Sequence, residues 1–168
     1  MSDATFLTWP FFEDRHRALA ADLDKWAARE LAHVDHTDTD SACRALVRSL
    51  GEGGWLKHAA VDPNGTGSLD VRTLCLIRET LARHDGLADF AFAMQGLGTG
   101  AISLFGTTAQ KEAWLPLIRT GQAISAFALT EPSSGSDVAN STMTATRDGD
   151  SYVLNGAKTW ISNGGIAD

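Results

Sequence analysis

Cysteine is scarce in this chain, since its 168 residues include only Cys43 and Cys75, which lie far apart and form no Cys-x-x-Cys pair. This scarcity excludes a small fold held together by disulfide bonds. We expect two buried, reduced thiols in a cytoplasmic protein. The first residues lack the basic segment and apolar run of a secretory signal. No stretch approaches the roughly 18 consecutive apolar residues of a spanning helix, so we expect no membrane span.

Positive charge is also in short supply, with 14 Lys and Arg against 21 Asp and Glu and a net charge of −7. A nucleic-acid-binding protein is therefore not expected, because such proteins present a basic face. His33-x-x-His36 has no further ligand at a useful spacing, which argues against a metal site. Gly96-x-Gly98-x-Gly100 lacks the third glycine of a dinucleotide loop, and no Gly-x-Ser-x-Gly nucleophile motif occurs.

Apolar residues recur at helical spacing up to about residue 122. Their stripes predict helices around residues 19–34 and 43–50, a loop over 62–68, and a central, buried helix over 69–84. Thr107 and Gln110 have the spacing of a capping box, which predicts a further helix that Gly121 ends. Glycines at alternate positions 96, 98 and 100 predict the close approach of another backbone or of a ligand.

After residue 122 the pattern becomes strand-like, with short apolar runs separated by turn-forming residues. We predict strands over 124–130, 142–147, 152–154 and 158–162, the last three joined by hairpin turns at Asp148-Gly149 and Asn155-Gly156. The chain is thus expected to have a mainly α domain over 1–122, followed over 123–168 by the first strands of an incomplete antiparallel β domain. Two or three short strands do not make a stable domain on their own.

The most informative stretch for function is the strand-to-loop run from Phe127 to Asp137. Its backbone groups and the Thr130 hydroxyl are placed to bond the edge of a planar heterocycle, and the Ser-Ser-Gly-Ser loop offers donors for a phosphate. On a strand, Trp160 and Ser162 would share one face, which suits a stacked flavin. From the residues alone, two interpretations are equally well supported: a flavin site, or a polar turn beside a tryptophan buried in the core.

Three longer motifs resemble the acyl-CoA dehydrogenase family. They are Ala-Leu-Thr-Glu-Pro at 128–132 followed by Gly-Ser-Asp at 135–137, Tyr-Val-Leu-Asn-Gly-x-Lys-x-Trp-Ile-Ser-Asn-Gly at 152–164, and Phe-Gly-Thr-x-x-Gln-Lys-x-x-Trp-Leu-Pro at 105–116. The resemblance covers essentially the whole chain and is loosest in the first 60 residues. It implies a helical N-terminal domain and the start of the middle β domain, without the family's C-terminal four-helix domain.

The resemblance also implies the residues that bind FAD. Backbone and hydroxyl groups of the 127–130 segment would meet the pyrimidine edge, Ser136 would bind the pyrophosphate close to the passing acyl-CoA, and Trp160 would cover one flavin face. Ser162 stands where the family often has threonine, beside the atom that receives hydride. The implied cofactor-binding residues are Phe127, Leu129, Thr130, Gly135, Ser136, Trp160 and Ser162, of which Ser136 also binds substrate.

The implied activity is the FAD-dependent α,β-dehydrogenation of an acyl-CoA thioester, with an electron-transfer flavoprotein as acceptor and a homo-oligomer when full length. Because the family's base comes from its C-terminal domain, we assign no catalytic residue, and Glu131 belongs to the flavin-binding motif. We expect the isolated chain to be inactive and to bind FAD weakly or not at all. An acyl-CoA oxidase or flavin monooxygenase of the same fold, and a non-catalytic interaction fragment, remain alternatives. The stretch 92–100 is expected to line the acyl pocket.

Overall fold

A computed structural model describes residues 5–65 and 68–168 of the chain. Six α-helices in this part of the chain precede one two-stranded antiparallel sheet, which confirms the predicted fold class. The helices are α1 (Asp14–Glu30), α2 (Thr39–Glu52), α3 (Val71–His84), α4 (Gly86–Gly98), α5 (Gly100–Phe105) and α6 (Thr108–Arg119), and the strands are β1 (Thr144–Asp148) and β2 (Ser151–Asn155). Thr66 and Gly67 of the predicted 62–68 loop lie outside the described residues.

The helices pack around one main apolar core. Helix α1 packs on α3, and α4 packs on both α2 and α3. Side chains from the predicted stripes fill the interior, and the largest fully buried ones include Leu23, Leu50, Ile77, Leu81 and Phe92. Each such side chain contributes about 1.5–3 kcal/mol through removal of apolar surface from water. No helix in the described ranges is long and apolar enough to cross a membrane.

Helix α3 buries one face rather than most of its circumference. Thr73, Ile77 and Leu81 face its neighbours, whereas Cys75 on the same helix is exposed. The expectation of two buried thiols is therefore correct for Cys43, which is 2% exposed, and wrong for Cys75. The reason is that α3 contacts α1 and α4 but leaves a third side open to solvent.

Sequence signals at the ends of α6 are confirmed. The Thr107 hydroxyl accepts from the Gln110 N–H at 3.2 Å, and the Gln110 side-chain oxygen accepts from the Thr107 N–H at 2.9 Å, which completes the capping box. The helix ends at Arg119, and Gly121 has a positive φ of 71°. That conformation carries little steric cost for glycine.

Two of the three alternate glycines are close to another backbone, as predicted. A Cβ on Gly96 would lie 3.0 Å from the Ala59 carbonyl oxygen, and one on Gly98 would lie 2.6 Å from the Ser125 hydroxyl oxygen and 2.8 Å from the Ala126 carbonyl oxygen. A Cβ on Gly100 would meet no atom within 4 Å. Gly98 therefore lets the segment after residue 122 lie directly against α4.

The predicted hairpin at Asp148-Gly149 is confirmed. Strand β1 pairs with β2 from Thr144 opposite Asn155 to Asp148 opposite Ser151, and Gly149 adopts a φ of 59° in the turn. All ten strand residues are exposed. This hairpin therefore extends from the helical core without a buried face of its own.

The strands predicted over 124–130 and 158–162 are wrong for the described chain, because neither segment joins the sheet. Polar side chains take up the Ile124 and Ser125 N–H groups. The second segment is not uniformly extended, since Trp160 has a φ of 57°. The hairpin predicted at Asn155-Gly156 consequently does not form, and β2 keeps one open edge.

The contrast between two glycines gives a test of the packing of the 123–126 segment on α4. Gly98→Ala should lower the free energy of unfolding by about 1–3 kcal/mol, because the added methyl group overlaps backbone and side-chain atoms. Gly100→Ala, the matched control, should leave it unchanged or raise it by up to about 1 kcal/mol, because the site is open and alanine favours the helix. Urea denaturation of the three proteins measures both effects, and equal behaviour of the two variants would contradict the packing.

Candidate functional site

A buried side-chain amide fixes the start of the predicted flavin-binding segment. The Gln95 side chain of α4 is fully buried, donates to the Ala123 carbonyl oxygen at 2.8 Å and accepts from the Ser125 N–H at 2.8 Å. The Ser125 hydroxyl donates to the Met94 carbonyl oxygen at 2.8 Å. Gln95 was missed in the sequence analysis, although a polar residue within an apolar helical stretch is a signal for such a role.

The two predicted flavin motifs lie side by side and run in opposite directions. The Thr159 N–H donates to the Thr130 carbonyl oxygen at 2.8 Å. Farther along, the Asn163 side-chain amide donates to the Ser125 carbonyl oxygen at 3.3 Å. The structure thus brings Thr130 next to Thr159, the residue that precedes Trp160, although nearly thirty positions separate these two residues in sequence.

The carboxylate of Glu131 joins three segments of this region. It accepts from the Thr142 N–H at 2.7 Å, the Thr142 hydroxyl at 2.8 Å, the Met143 N–H at 3.0 Å and the Lys158 ammonium at 2.8 Å. The Lys158 ammonium also donates to the Leu129 carbonyl oxygen at 2.8 Å. Sequence reasoning did not single out the Glu131–Lys158 pair, because the two residues meet only after the chain has folded back through the hairpin.

The charged form of Glu131 is strongly favoured. The Lys158 ammonium, followed by the donors of Thr142, lowers the pKa of the Glu131 carboxyl from 4.5 to about 2. Its side chain is only 2% exposed, and its oxygens are occupied by four donors. A carboxylate in this state is a poor proton acceptor, so Glu131 serves as a structural anion rather than as a general base.

The serine-rich loop uses one of its hydroxyl groups internally and leaves another free. The N–H and carbonyl groups of Glu131 and Ser134 bond each other at 2.9 and 3.1 Å, which closes the turn. The buried Ser134 hydroxyl donates to the Asp137 carbonyl oxygen and is not available to a phosphate. Gly135 and Ser136 are exposed beyond this turn, and the Ser136 hydroxyl has no partner among the described residues.

Trp160 is 89% exposed, so the interpretation of this residue as a core tryptophan is wrong. The prediction that Trp160 and Ser162 share a strand face is also wrong, because the left-handed backbone at Trp160 interrupts the alternation. Trp160 nevertheless directly follows Thr159, which is bonded to the Thr130 carbonyl oxygen, and its exposed side chain gives a flat ligand an aromatic surface to stack on.

Several polar groups near Trp160 are free to bond a ligand. Within the described ranges, the backbone N–H groups of Phe127 and Leu129 and the hydroxyls of Thr130 and Ser162 have no hydrogen-bond partner. The side chains of Phe127 and Leu129 are 38% and 39% exposed. A row of donors beside an exposed indole fits the polar edge and the flat face of a heterocycle such as a flavin.

An apolar cleft of ≈ 220 Å³ adjoins this segment, between the end of α4, α6 and residues 123–126. Gly98, Thr99 and Trp114 contribute to its walls. Of the stretch predicted to line an acyl pocket, Gly98 and Thr99 line this cleft. Phe92, Ala93, Gly96 and Leu97 line a different cleft of ≈ 230 Å³ on another side of α4. The assignment of an acyl pocket stays a prediction.

Comparison with known proteins gives matches over nearly the whole chain. The family described as "Acyl-CoA dehydrogenase, N-terminal domain" matches residues 13–122, and "Acyl-CoA dehydrogenase, middle domain" matches residues 126–168. "Very long-chain specific acyl-CoA dehydrogenase, mitochondrial" of Rattus norvegicus is 50% identical over 95 residues, which are 55% of this chain and 14% of the relative. "Probable acyl-CoA dehydrogenase" of Bacillus subtilis is 33% identical over 162 residues, 94% of this chain and 27% of the relative.

A solved structure, acyl-CoA dehydrogenase complexed with FAD from Bacillus anthracis, superposes with a TM-score of 0.79 at 32% identity. The match covers 100% of this chain and 31% of that one. The chain therefore spans less than a third of the length of each of these three proteins.

The pKa of Glu131 leads to a prediction about acid stability. Because the folded-state pKa of about 2 lies below the ordinary 4.5, the stabilisation by this carboxylate is complete above about pH 4.5 and is lost as the pH falls towards about 2. Glu131→Gln should therefore be less stable than the unchanged chain at neutral pH, with a difference that shrinks on acidification. Urea midpoints across this range measure it.

Glu79→Gln is the matched control for that measurement, because Glu79 forms an exposed ion pair with Arg83 at 3.1 Å. Exposed pairs of this kind contribute about 0–1 kcal/mol. If Glu131→Gln and Glu79→Gln gave the same small, pH-independent difference from the unchanged chain, the structural role of the Glu131 carboxylate would be refuted.

Proposed function

We propose, because the chain belongs to the acyl-CoA dehydrogenase family, that it forms the flavin-binding part of an enzyme that uses FAD to dehydrogenate acyl-CoA thioesters between the α and β carbons. One observation carries the proposal beyond family membership. The 127–130 segment has free donors, and a hydrogen bond from Thr159 to the Thr130 carbonyl oxygen joins it to the residue before the exposed Trp160. Such a combination of a stacking surface and a polar edge is suited to an isoalloxazine ring.

Each predicted site residue has a proposed role that suits its surroundings. The N–H groups of Phe127 and Leu129 and the Thr130 hydroxyl would bond the pyrimidine edge of the ring. Trp160 would cover one face, and the Ser162 hydroxyl would donate near the reactive edge. The exposed turn at Gly135 and Ser136 would hold the pyrophosphate, with Ser136 also close to the acyl-CoA.

The chemistry divides between the cofactor and the protein. When bound, FAD supplies the acceptor for the hydride that leaves the β carbon of the thioester. The residues of this chain bind and orient the cofactor, and Trp160 would shield one face of it from water. We assign no general base within the chain, since the Glu131 carboxylate is occupied by the Lys158 ammonium and three further donors.

The proposal extends to the partners of the enzyme. An acyl-CoA thioester is the substrate, an electron-transfer flavoprotein is the proposed acceptor, and the full-length protein is proposed to be a homo-oligomer. The expected cytoplasmic location stays a prediction, and the word mitochondrial in the name of the rat relative applies to that protein.

FAD binding by the enzyme that contains this chain provides the first test, with two exposed tryptophans as a matched pair. Trp160→Ala should weaken FAD binding about two- to tenfold, because a lost aromatic stacking contact costs roughly 0.5–1.5 kcal/mol. Trp9→Ala should leave binding unchanged, since Trp9 is 53% exposed but packs against Phe6 and Phe11 at the other end of the chain. Titration of FAD fluorescence measures both dissociation constants, and equal effects of the two variants would count against the site.

Substrate turnover provides the second test, on the enzyme that contains this chain. With FAD bound and oxygen excluded, an acyl-CoA thioester should bleach the visible absorbance of the flavin, and an electron-transfer flavoprotein should restore it. Rapid recovery with oxygen and release of hydrogen peroxide would instead identify an oxidase. A folded, colourless protein that stays colourless with excess FAD would indicate a non-catalytic interaction protein.

A further inference from the structure

The backbone of Trp160 is held in a conformation that its side chain disfavours. In the described part of the chain, Trp160 and Asn163 are the non-glycine residues with positive φ, at 57° and 60°. Asparagine tolerates the left-handed region, whereas a bulky residue without a local hydrogen bond pays a steric cost there. A strained residue of this kind persists only where its surroundings hold it, and such residues concentrate at functional sites.

The contacts that hold Trp160 lie on both sides of it. Before it, the Thr159 N–H bonds the Thr130 carbonyl oxygen at 2.8 Å. After it, the Gly164 N–H bonds the Ile161 carbonyl oxygen at 3.0 Å, and the Asn163 amide reaches Ser125 at 3.3 Å. Trp160 is 89% exposed, so the direction in which its side chain leaves the chain is set by the backbone rather than by packing.

Lys158 connects these contacts to the ligand-binding segment. Its ammonium donates to the Leu129 carbonyl oxygen and to the Glu131 carboxylate, each at 2.8 Å. The Lys158 side chain is 16% exposed and that of Glu131 only 2%, so the pair is little screened by solvent. Lys158, two residues before Trp160, thus ties the chain to the backbone of Leu129, which is itself a proposed flavin contact.

We propose that Lys158 is a positioning residue of the flavin site: by bonding Leu129 and Glu131 it fixes the strained backbone of Trp160 and so sets the direction in which the indole projects from the chain. The identity of the ligand rests on the proposed function. Lys158 has no direct contact with the ligand in this role and acts through Trp160 and Leu129. Glu131 is the anion that holds Lys158 in place.

Substitution of Lys158, alone and together with Glu131, in the enzyme that contains this chain tests the proposal. Lys158→Met keeps the length of the side chain and removes its charge, and it should weaken FAD binding about tenfold, as loss of a charge-assisted hydrogen bond does. Lys158→Arg should restore most of the affinity, since a guanidinium also donates to both acceptors. Lys25→Met is the control, because Lys25 forms an exposed pair with Asp22 at 3.8 Å.

The double variant Glu131→Gln/Lys158→Met separates positioning from stability. Lys158→Met alone leaves a buried carboxylate without its cation, so this variant should be markedly less stable. The double variant removes that unpaired charge and should recover much of the urea midpoint, while its FAD affinity stays as low as that of Lys158→Met. An FAD affinity that recovers together with stability would overturn the positioning role. If Lys158→Met does not fold, the FAD affinity of the double variant alone provides the test.

A measurement without FAD distinguishes this inference from the proposed function. Fluorine NMR of fluorotryptophan-labelled chain, with the Trp160 signal assigned through Trp160→Phe, should give one sharp resonance. In Lys158→Met and in the double variant that resonance should shift or split, but not in Lys25→Met. An unchanged resonance would refute the positioning of Trp160. Failure of the enzyme that contains the unchanged chain to bind FAD, with the resonance shifted as expected, would contradict the flavin site alone.

Discussion

The candidate site depends on the burial of one carboxylate. A charge removed from water is costly unless donors replace the lost hydration, and Glu131 obtains them from Thr142, Met143 and Lys158. Because these donors come from the start of the hairpin and from the segment after it, satisfying the charge brings both segments to the 129–131 backbone. The same requirement makes Glu131 unsuited to proton transfer, since its pKa is lowered to about 2.

A second constraint positions this assembly on the helices. Gln95 of α4 bonds the backbone on both sides of residue 124, and the missing side chain of Gly98 allows Ser125 and Ala126 to lie against the helix. The proposed flavin segment therefore leaves the surface of α4 at a defined point. The β1–β2 hairpin has no comparable support and is exposed along its whole length. Its apolar Val153 and Leu154 are 46% and 62% exposed.

Much of the fold was predictable because helices and tight turns depend on residues close in sequence. The apolar stripes, the Thr107–Gln110 capping box and the Gly149 turn each encode local hydrogen bonds or one buried face. The strand predicted over 124–130 failed for the opposite reason. The segment has the apolar composition of a buried strand. However, its Ile124 and Ser125 N–H groups bond the Asp168 carboxylate and the Gln95 amide instead of a neighbouring strand.

For the candidate site, the sequence by itself determined which residue types are available, and its motifs were sufficient to indicate a flavin-binding family. It also determined the helices and the first hairpin, because those depend on neighbours within a few positions. Only the tertiary structure decided that Lys158 reaches Glu131 across 27 positions, that Trp160 is exposed on a left-handed backbone, and that Ser134 is used internally. These outcomes depend on which distant groups compete for each donor once the chain is packed, and periodicity carries no information about that competition.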